Sequence, residues 1–283
     1  MLQDYLRLIR FDKPIGTLLL LWPTWWGLWF AYAAIPPLKI LVVFSLGVFL
    51  TRAAGCAIND YADSDFDGAV ERTANRPLVT GAISKKNALL VSAGLSLAAF
   101  ILAAFTLHPL TLLWSIPALL IFVSYPFFKR FFAVPQLYLG VAFSFGILMA
   151  FIESSGHIPA VGWLIFIANI FWVLAYDTIY ALVDLPDDLK IGIKTSAITF
   201  GKSVIPIIML CYSMFLFIMC MVGVEQNMGI TYFVTLLCEL FLIYYVYQQI
   251  KNQNRQQCFK AFLFNNQIGI LLTAGLIVDF WFK

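Results

Sequence analysis

The stretch AGCAINDYADSDFDG, residues 54–68, closes an apolar run with Asp60, Asp63, Asp65 and Asp67. The run behind it, near residues 40–58, is long enough to cross the hydrocarbon core of a bilayer as a helix. A chain that gathers acids where it leaves a membrane-length segment is setting up a site at an interface. Outward from this stretch the same pattern of runs recurs. Spans are expected near 15–34, 40–58, 87–106, 110–127, 134–152, 161–180, 203–222, 229–248 and 262–281. The 283 residues are 62% hydrophobic and only 12% charged, where soluble domains carry about a quarter charged residues. The expectation is an all-α integral membrane protein of nine transmembrane helices, one polytopic domain over residues 1–283.

Basic residues orient the bundle. With Met1 to Pro14 on the inner side, only Lys39 and Lys283 of the 18 lysines and arginines fall on the opposite face. That asymmetry is the positive-inside pattern of a cytoplasmic N-terminus. The net charge of +3 therefore reports topology and gives no sign of nucleic-acid binding. No cleavable signal is expected, because LLLLWPTWWGLWF lacks a small-residue cleavage site, and the preceding residues are too few and too acidic for a transit peptide. Cys56, Cys211, Cys220, Cys238 and Cys258 show no metal-ligand spacing and are read as packing residues.

A second acidic cluster, DLPDD at 184–188, leaves the sixth run on the same face as the first. Each cluster is followed by basic residues, ERTANR and KIGIK, which suggests two related helical halves, about 1–130 and 131–283. On a helical wheel Asn59, Asp60, Asp63 and Asp67 share a face about 100° wide, with Arg52 on that face two turns deeper and Asp65 opposite. Asp177, Tyr180, Asp184, Asp187 and Asp188 fall within about 80° of one another, although Pro186 is expected to start a new turn. Carboxylates so placed repel unless a cation joins them, and an all-oxygen ligand set without His or Cys favours Mg²⁺. Asp177 lies deeper still, where a charge is costly and marks a pathway or a site. The same acids would suit a cation or solute transporter, but the outer half of the bundle carries no matching polar path. Metal-dependent release of diphosphate would separate an enzyme from that transporter and from a non-catalytic lipid-binding protein.

These residues resemble the UbiA superfamily of intramembrane aromatic prenyltransferases. The motif Asn-Asp-x-x-Asp-x-x-x-Asp is met by Asn59, Asp60, Asp63 and Asp67, and Asp-x-x-x-Asp by Asp184 and Asp188. The likeness extends over IRFDKPIGTLLLLWPTWW, RAAGCAINDYAD, ERTANRPLVTG, SYPFFKR, AYDTIYALVD and IGIKTSAITFG, then thins to CFKAFLFNNQIG. It implies helices around a central cavity, Mg²⁺ as cofactor, and a bacterial inner membrane with the site facing the cytoplasm. It also implies a reaction of ubiquinone synthesis: a polyprenyl diphosphate alkylates 4-hydroxybenzoate ortho to its phenol. Relatives with other acceptors (dihydroxynaphthoate, homogentisate, haem) are the alternatives.

Under that resemblance Asn59, Asp63, Asp67, Asp184 and Asp188 hold the metal against the diphosphate, with Asp60 and Asp187 close by. Arg72, Arg76, Lys194, Arg130 and the pair Tyr125 and Lys129, which fits the family's Tyr-x-x-x-Lys pattern, are the candidates for diphosphate contact. Arg52 is expected to hold the acceptor's carboxylate together with Asn59, and Arg10 is a second candidate for an anion. Asp177 is the candidate base. Leu185 and Pro186 stand where relatives commonly carry charged residues, so the local turn is expected to differ.

Overall fold

The computed structural model describes residues 1–65, 67–128 and 130–283. A short surface helix, α1 (Leu2–Leu8), precedes α2 (Ile15–Tyr32), α3 (Leu38–Asp63), α4 (Lys85–Thr106), α5 (Pro109–Phe128) and α6 (Pro135–Ser155). Then follow α7 (Ala160–Ile191), the short α8 (Ser196–Phe200), α9 (Val204–Glu225), α10 (Ile230–Ile250) and α11 (Arg255–Trp281). Among the described residues eight helices are long and apolar enough to cross a membrane: α3 to α7, the continuous Ser196–Glu225 stretch, α10 and α11. Helix α2 has 18 residues but is interrupted by Trp22, Pro23, Thr24, Trp25, Trp26 and Trp29, which lower its mean hydropathy.

Local chemistry sets the ends. Ser84 caps α4 by accepting from the Asn87 N–H at 3.2 Å, and Asn254 caps α11 by accepting from Gln256 and Gln257 at 3.1 Å. Gly192, at φ 79°, ends α7 in the left-handed conformation that glycine adopts without a Cβ clash. Pro186 does not break α7, contrary to expectation. The helix runs 32 residues through it, with the proline on the exposed side of α7, where the carbonyl it leaves without a helical partner can face water. Asp184, Asp187 and Asp188 therefore stay on one buried face.

α7 packs against α2, α6, α9 and α11 and forms the centre of the bundle. Lipid tails are as apolar as leucine, so close packing and interhelical hydrogen bonds hold the helices together. Trp172 stacks on Phe215 at 5.9 Å and lies 5.0 Å from Trp26. Trp26 donates to Thr273 at 2.8 Å, Trp172 to Asn265 at 3.2 Å and Tyr212 to the same Asn265 oxygen at 2.7 Å. Gly27 lets α2 lie against the Ile147 backbone of α6, where an added Cβ would come within 2.7 Å. α4 and α5 are peripheral and turn Leu97, Phe100, Phe105, Leu113 and Leu120 outward. The cysteines divide: Cys56, Cys211 and Cys258 are buried packing residues, whereas Cys220 and Cys238 lie on the exposed surface.

Candidate active site

The carboxyl ends of α3 and α7 come to the same end of the bundle, with the segment 67–84 beside them. Thr73 pins that segment by donating its hydroxyl to the Asp67 carbonyl at 2.7 Å. Between these parts lies a cleft of about 70 Å³ lined by Asp63, Asp67, Arg72, Arg76, Arg130, Asp184 and Asp188, with Pro126 and Ile193 on its walls. Both acidic clusters thus meet in one place, together with three guanidinium groups.

Each arginine has a partner. Arg72 donates from Nε to both oxygens of Asp184 at 3.1 Å, adds a contact from Nη2, and lies 4.5 Å over the Tyr180 ring. Arg76 donates to Asp67 at 2.6 Å and reaches Asp60 at 3.1 Å. Arg130 donates to the Ala62 carbonyl at 3.0 Å. Burial raises the pKa of Asp67, against the pull of Arg76, with Asp63 and Asp60 adding repulsion. Burial opposes the charge of Arg72, but Tyr180, Asp184 and Asp67 outweigh it and hold the guanidinium firmly protonated. Asp65 stands apart, 72% exposed and paired with Lys85 at 2.7 Å, which lowers its pKa.

Not every expected ligand faces the cleft. Asp60 is wholly buried, and its Oδ1 accepts from Arg10 at 2.6 Å as well as from Arg76. Arg10 is thereby committed to a carboxylate of the chain, in a left-handed backbone conformation at φ 58°. Asp187 is held by Arg255 at 3.0 Å and turned towards α11. Lys194 donates to the Phe131 carbonyl and does not line the cleft. Asn59 lies just inside, donating to Asp63 at 3.2 Å. Lys129 lies outside the described residues. Among the described residues no three His, Cys, Asp or Glu side chains are grouped closely enough to share an ion, because arginines stand between the acids. The donor set nonetheless fits a metal–diphosphate pair: carboxylate oxygens suit a hard divalent cation, and guanidinium forks suit phosphate oxygens.

A second group lies deeper. The Arg52 guanidinium sits 5.8 Å over the Phe143 ring and against Gly16, where an added Cβ would meet Nη2 at 2.6 Å. Among the described residues no carboxylate lies within ion-pair distance of it. Arg52, Asp177 and Tyr125 all act electrostatically on the buried Tyr176 hydroxyl, which has no hydrogen-bond partner among the described residues. Tyr125 is half-buried against the hydrophobic core and is not among the described residues that line the cleft. Nearby, α2 to α6 enclose an apolar cavity of about 160 Å³ that includes Leu20, Phe44, Val48, Phe122 and Phe145.

Arg255 is the residue that the sequence did not single out. It joins Glu71 at 2.8 Å and Asp187 at 3.0 Å and approaches Asp184 at 3.9 Å. It reads as one more inner-face cation; its only signal was its place behind Asn254 at the start of the last helix.

Fold and cleft together define an integral membrane helical bundle whose acids and arginines converge at one end. A profile of the UbiA prenyltransferase family matches residues 20–268. The 4-hydroxybenzoate octaprenyltransferase of Nitrosomonas eutropha is 57% identical over 275 residues, which are 97% of this chain and 96% of that one. That of Neisseria meningitidis serogroup B is 54% identical over 281 residues, 99% and 95% of the two chains. The apo structure of a UbiA homolog from Aeropyrum pernix K1 superposes with a TM-score of 0.82 at 26% identity, covering 93% of this chain and 97% of that chain. A UbiA homolog from Archaeoglobus fulgidus bound to GPP and Mg²⁺ shares the fold, with a TM-score of 0.75 at 20% identity over 97% and 99% of the chains. The chain belongs to the UbiA prenyltransferase family. Membership decides for the enzyme over the transporter and the passive isoprenoid binder.

Proposed function

We propose that this protein is a Mg²⁺-dependent 4-hydroxybenzoate polyprenyltransferase of the bacterial inner membrane, serving ubiquinone synthesis. The observation that carries the reading is the cleft: Asp63 and Asp67 face Asp184 and Asp188 with Arg72, Arg76 and Arg130 between them. Asp63, Asp67, Asp184 and Asp188, with Asn59 behind Asp63, would hold the metal. A cation held there would supply neutralisation of the charge on the departing diphosphate. The three arginines give charge-assisted hydrogen bonds to the same oxygens. Asp60 and Asp187 act one step back, fixing Arg76 and Arg255.

The bond between the allylic carbon and the diphosphate oxygen breaks, and its electron pair leaves with the diphosphate. The allylic carbon then bonds the ring carbon ortho to the phenol of 4-hydroxybenzoate. Arg52 positions that acceptor by its carboxylate, beside Phe143 and Tyr176. The proton on the attacked carbon leaves to restore the aromatic ring, and Asp177 is the candidate base to take it. The apolar cavity receives the prenyl tail and keeps water from the cation, with aromatic faces beside it. In this reading α2 is a ninth span, the N-terminus is cytoplasmic, and the whole of 1–283 is one domain. The acidic clusters end the second long helix of each proposed half, α3 and α7, which supports two related halves, about 1–130 and 131–283.

The test uses membranes containing the protein, labelled 4-hydroxybenzoate and geranyl diphosphate, with Mg²⁺ or EDTA. Prenylated product that needs Mg²⁺ and disappears in Asp63→Ala and Asp184→Ala is expected. Turnover only with another aromatic acceptor would discard the acceptor; no diphosphate release with any acceptor would discard the assignment.

A further inference from the structure

The apolar cavity and the acidic cleft share a ridge of α3. Gly47, Thr51, Gly55, Asn59 and Asp63 follow one another at four-residue spacing, a single i±4n row of the helix surface. The first two line the apolar cavity and the last lines the cleft. α5 mirrors this: Phe122 lines the cavity and Pro126, one turn further on, lines the cleft. Gly55 lies between, and it is covered. A Cβ built there would fall 2.2 Å from both Cε1 and Cζ of Phe122, so the tip of the ring rests on the α3 backbone where only a glycine lets it. On the other side Ser92 of α4 closes against α3 by donating to the Ala54 carbonyl at 3.0 Å.

We propose that Phe122, seated on Gly55, is a specificity-determining gate between the two spaces and sets how well long prenyl donors are used relative to short ones. This rests on the prenyl diphosphate reading above. With the diphosphate at the level of Asp63, Gly55 lies about 12 Å further into the bundle at 1.5 Å per residue. A tail of two isoprene units ends near that level. A tail of eight units has to pass the ring to reach the apolar cavity. Phe122 is only half-buried and tied to α3 by contact alone, so its ring can turn aside for a tail. A methyl group on residue 55 removes its resting place and drives it into the passage.

The test compares kcat/KM for geranyl and octaprenyl diphosphate in wild type, Gly55→Ala, Phe122→Ala and the double variant, at equal amounts of protein in the membrane. Gly55→Ala is expected to lower the octaprenyl-to-geranyl ratio by about 10-fold or more, the scale on which apolar pockets discriminate. Phe122→Ala is expected to raise that ratio. In the double variant the new methyl group enters the space left by the ring, and the ratio returns towards wild type. General damage to the bundle would lower both donors together and would not be rescued by a second substitution. Ratios unchanged in both single variants, or a double variant that keeps the Gly55→Ala ratio, overturn the gate. If Gly55→Ala fails to accumulate, Phe122→Ala decides alone: an unchanged ratio sinks the proposal. A wild type that consumes prenyl diphosphate while the ratios stay fixed overturns only the gate; a wild type that consumes none, at either length, overturns the assigned reaction and the gate with it.

Discussion

A guanidinium two turns inside the bundle from the first acidic cluster has to meet an anion or be held by something else. Placing an arginine near the bilayer centre costs about 2.5–3.5 kcal/mol on insertion scales. Arg52 bears that cost with the Phe143 ring beneath it and no carboxylate of the described chain within ion-pair distance. A cation so held is an unspent donor, and the acceptor's carboxylate is the anion the proposed reaction brings to it. A charge-assisted hydrogen bond is worth about 1.5–3 kcal/mol, so Arg52→Ala should raise the KM for 4-hydroxybenzoate roughly 10- to 100-fold. The KM for the prenyl donor should stay within about twofold, and Arg52→Lys should recover part of the loss, since lysine keeps the charge without the planar fork. Steady-state kinetics with each substrate varied in turn decide it; equal rises in both KM values would remove Arg52 from the acceptor site.

At the scale of elements, the cleft depends on three chain segments that have to be tied to one another: the end of α3, the segment 67–84, and the end of α7. Arg255, at the first turn of α11, ties two of them through Glu71 and Asp187. Glu71 is largely exposed, and exposed pairs are worth about 0–1 kcal/mol, whereas Asp187 is buried beside the proposed metal ligands. Arg255→Gln should therefore raise the Mg²⁺ concentration for half-maximal activity by about fivefold or more, the cost of leaving a buried carboxylate without its partner. Glu71→Gln should change it by less than about twofold, on the exposed-pair scale. Mg²⁺ titrations with both substrates saturating measure the two, and equal shifts would mean that the exposed contact carries the link. This is also where sequence and structure part. Helical spacing placed Asp184, Asp187 and Asp188 on one face, but a wheel has no neighbours, so it did not show that Arg255 takes Asp187 and that Arg10 and Arg76 take Asp60. Arg255 lies 68 residues from Asp187 along the chain and Arg10 lies 50 from Asp60, and neither separation leaves a local pattern. Pro186 misled because a proline's effect on a helix depends on whether the carbonyl it frees finds a partner, which local spacing does not show; α7 runs through it with Pro186 exposed.

For the whole molecule, the distribution of charge and the placement of the cleft tell one story. The acidic clusters, the arginines of the cleft, and Lys85, Lys190 and Lys194 all gather at one end of the bundle, while the opposite end holds short connections such as Glu225 to Gly229. Among the described residues eight helices meet the length and hydropathy expected of spans, and α2 is the element on which the topology turns. Its tryptophans look inward: Trp22 donates to Asn266 at 2.9 Å and Trp26 to Thr273 at 2.8 Å, both on α11. A helix bonded along its length to a spanning helix has to share its depth, since a polar partner in the bilayer interior cannot be reached from outside it. If α2 crosses, as proposed, the number of spans is odd and the two termini lie on opposite sides of the membrane. Single cysteines at Gln3, Asn252, Asn227 and Phe282, in a protein whose five native cysteines are replaced, report this to an impermeant maleimide. In inverted vesicles Gln3→Cys and Asn252→Cys should react, and Asn227→Cys and Phe282→Cys should react only after the membrane is opened. If Gln3→Cys instead sorts with Phe282→Cys, α2 does not span, and the segment carrying Arg10 to Asp60 would lie across the membrane from the cleft that their ion pair supports.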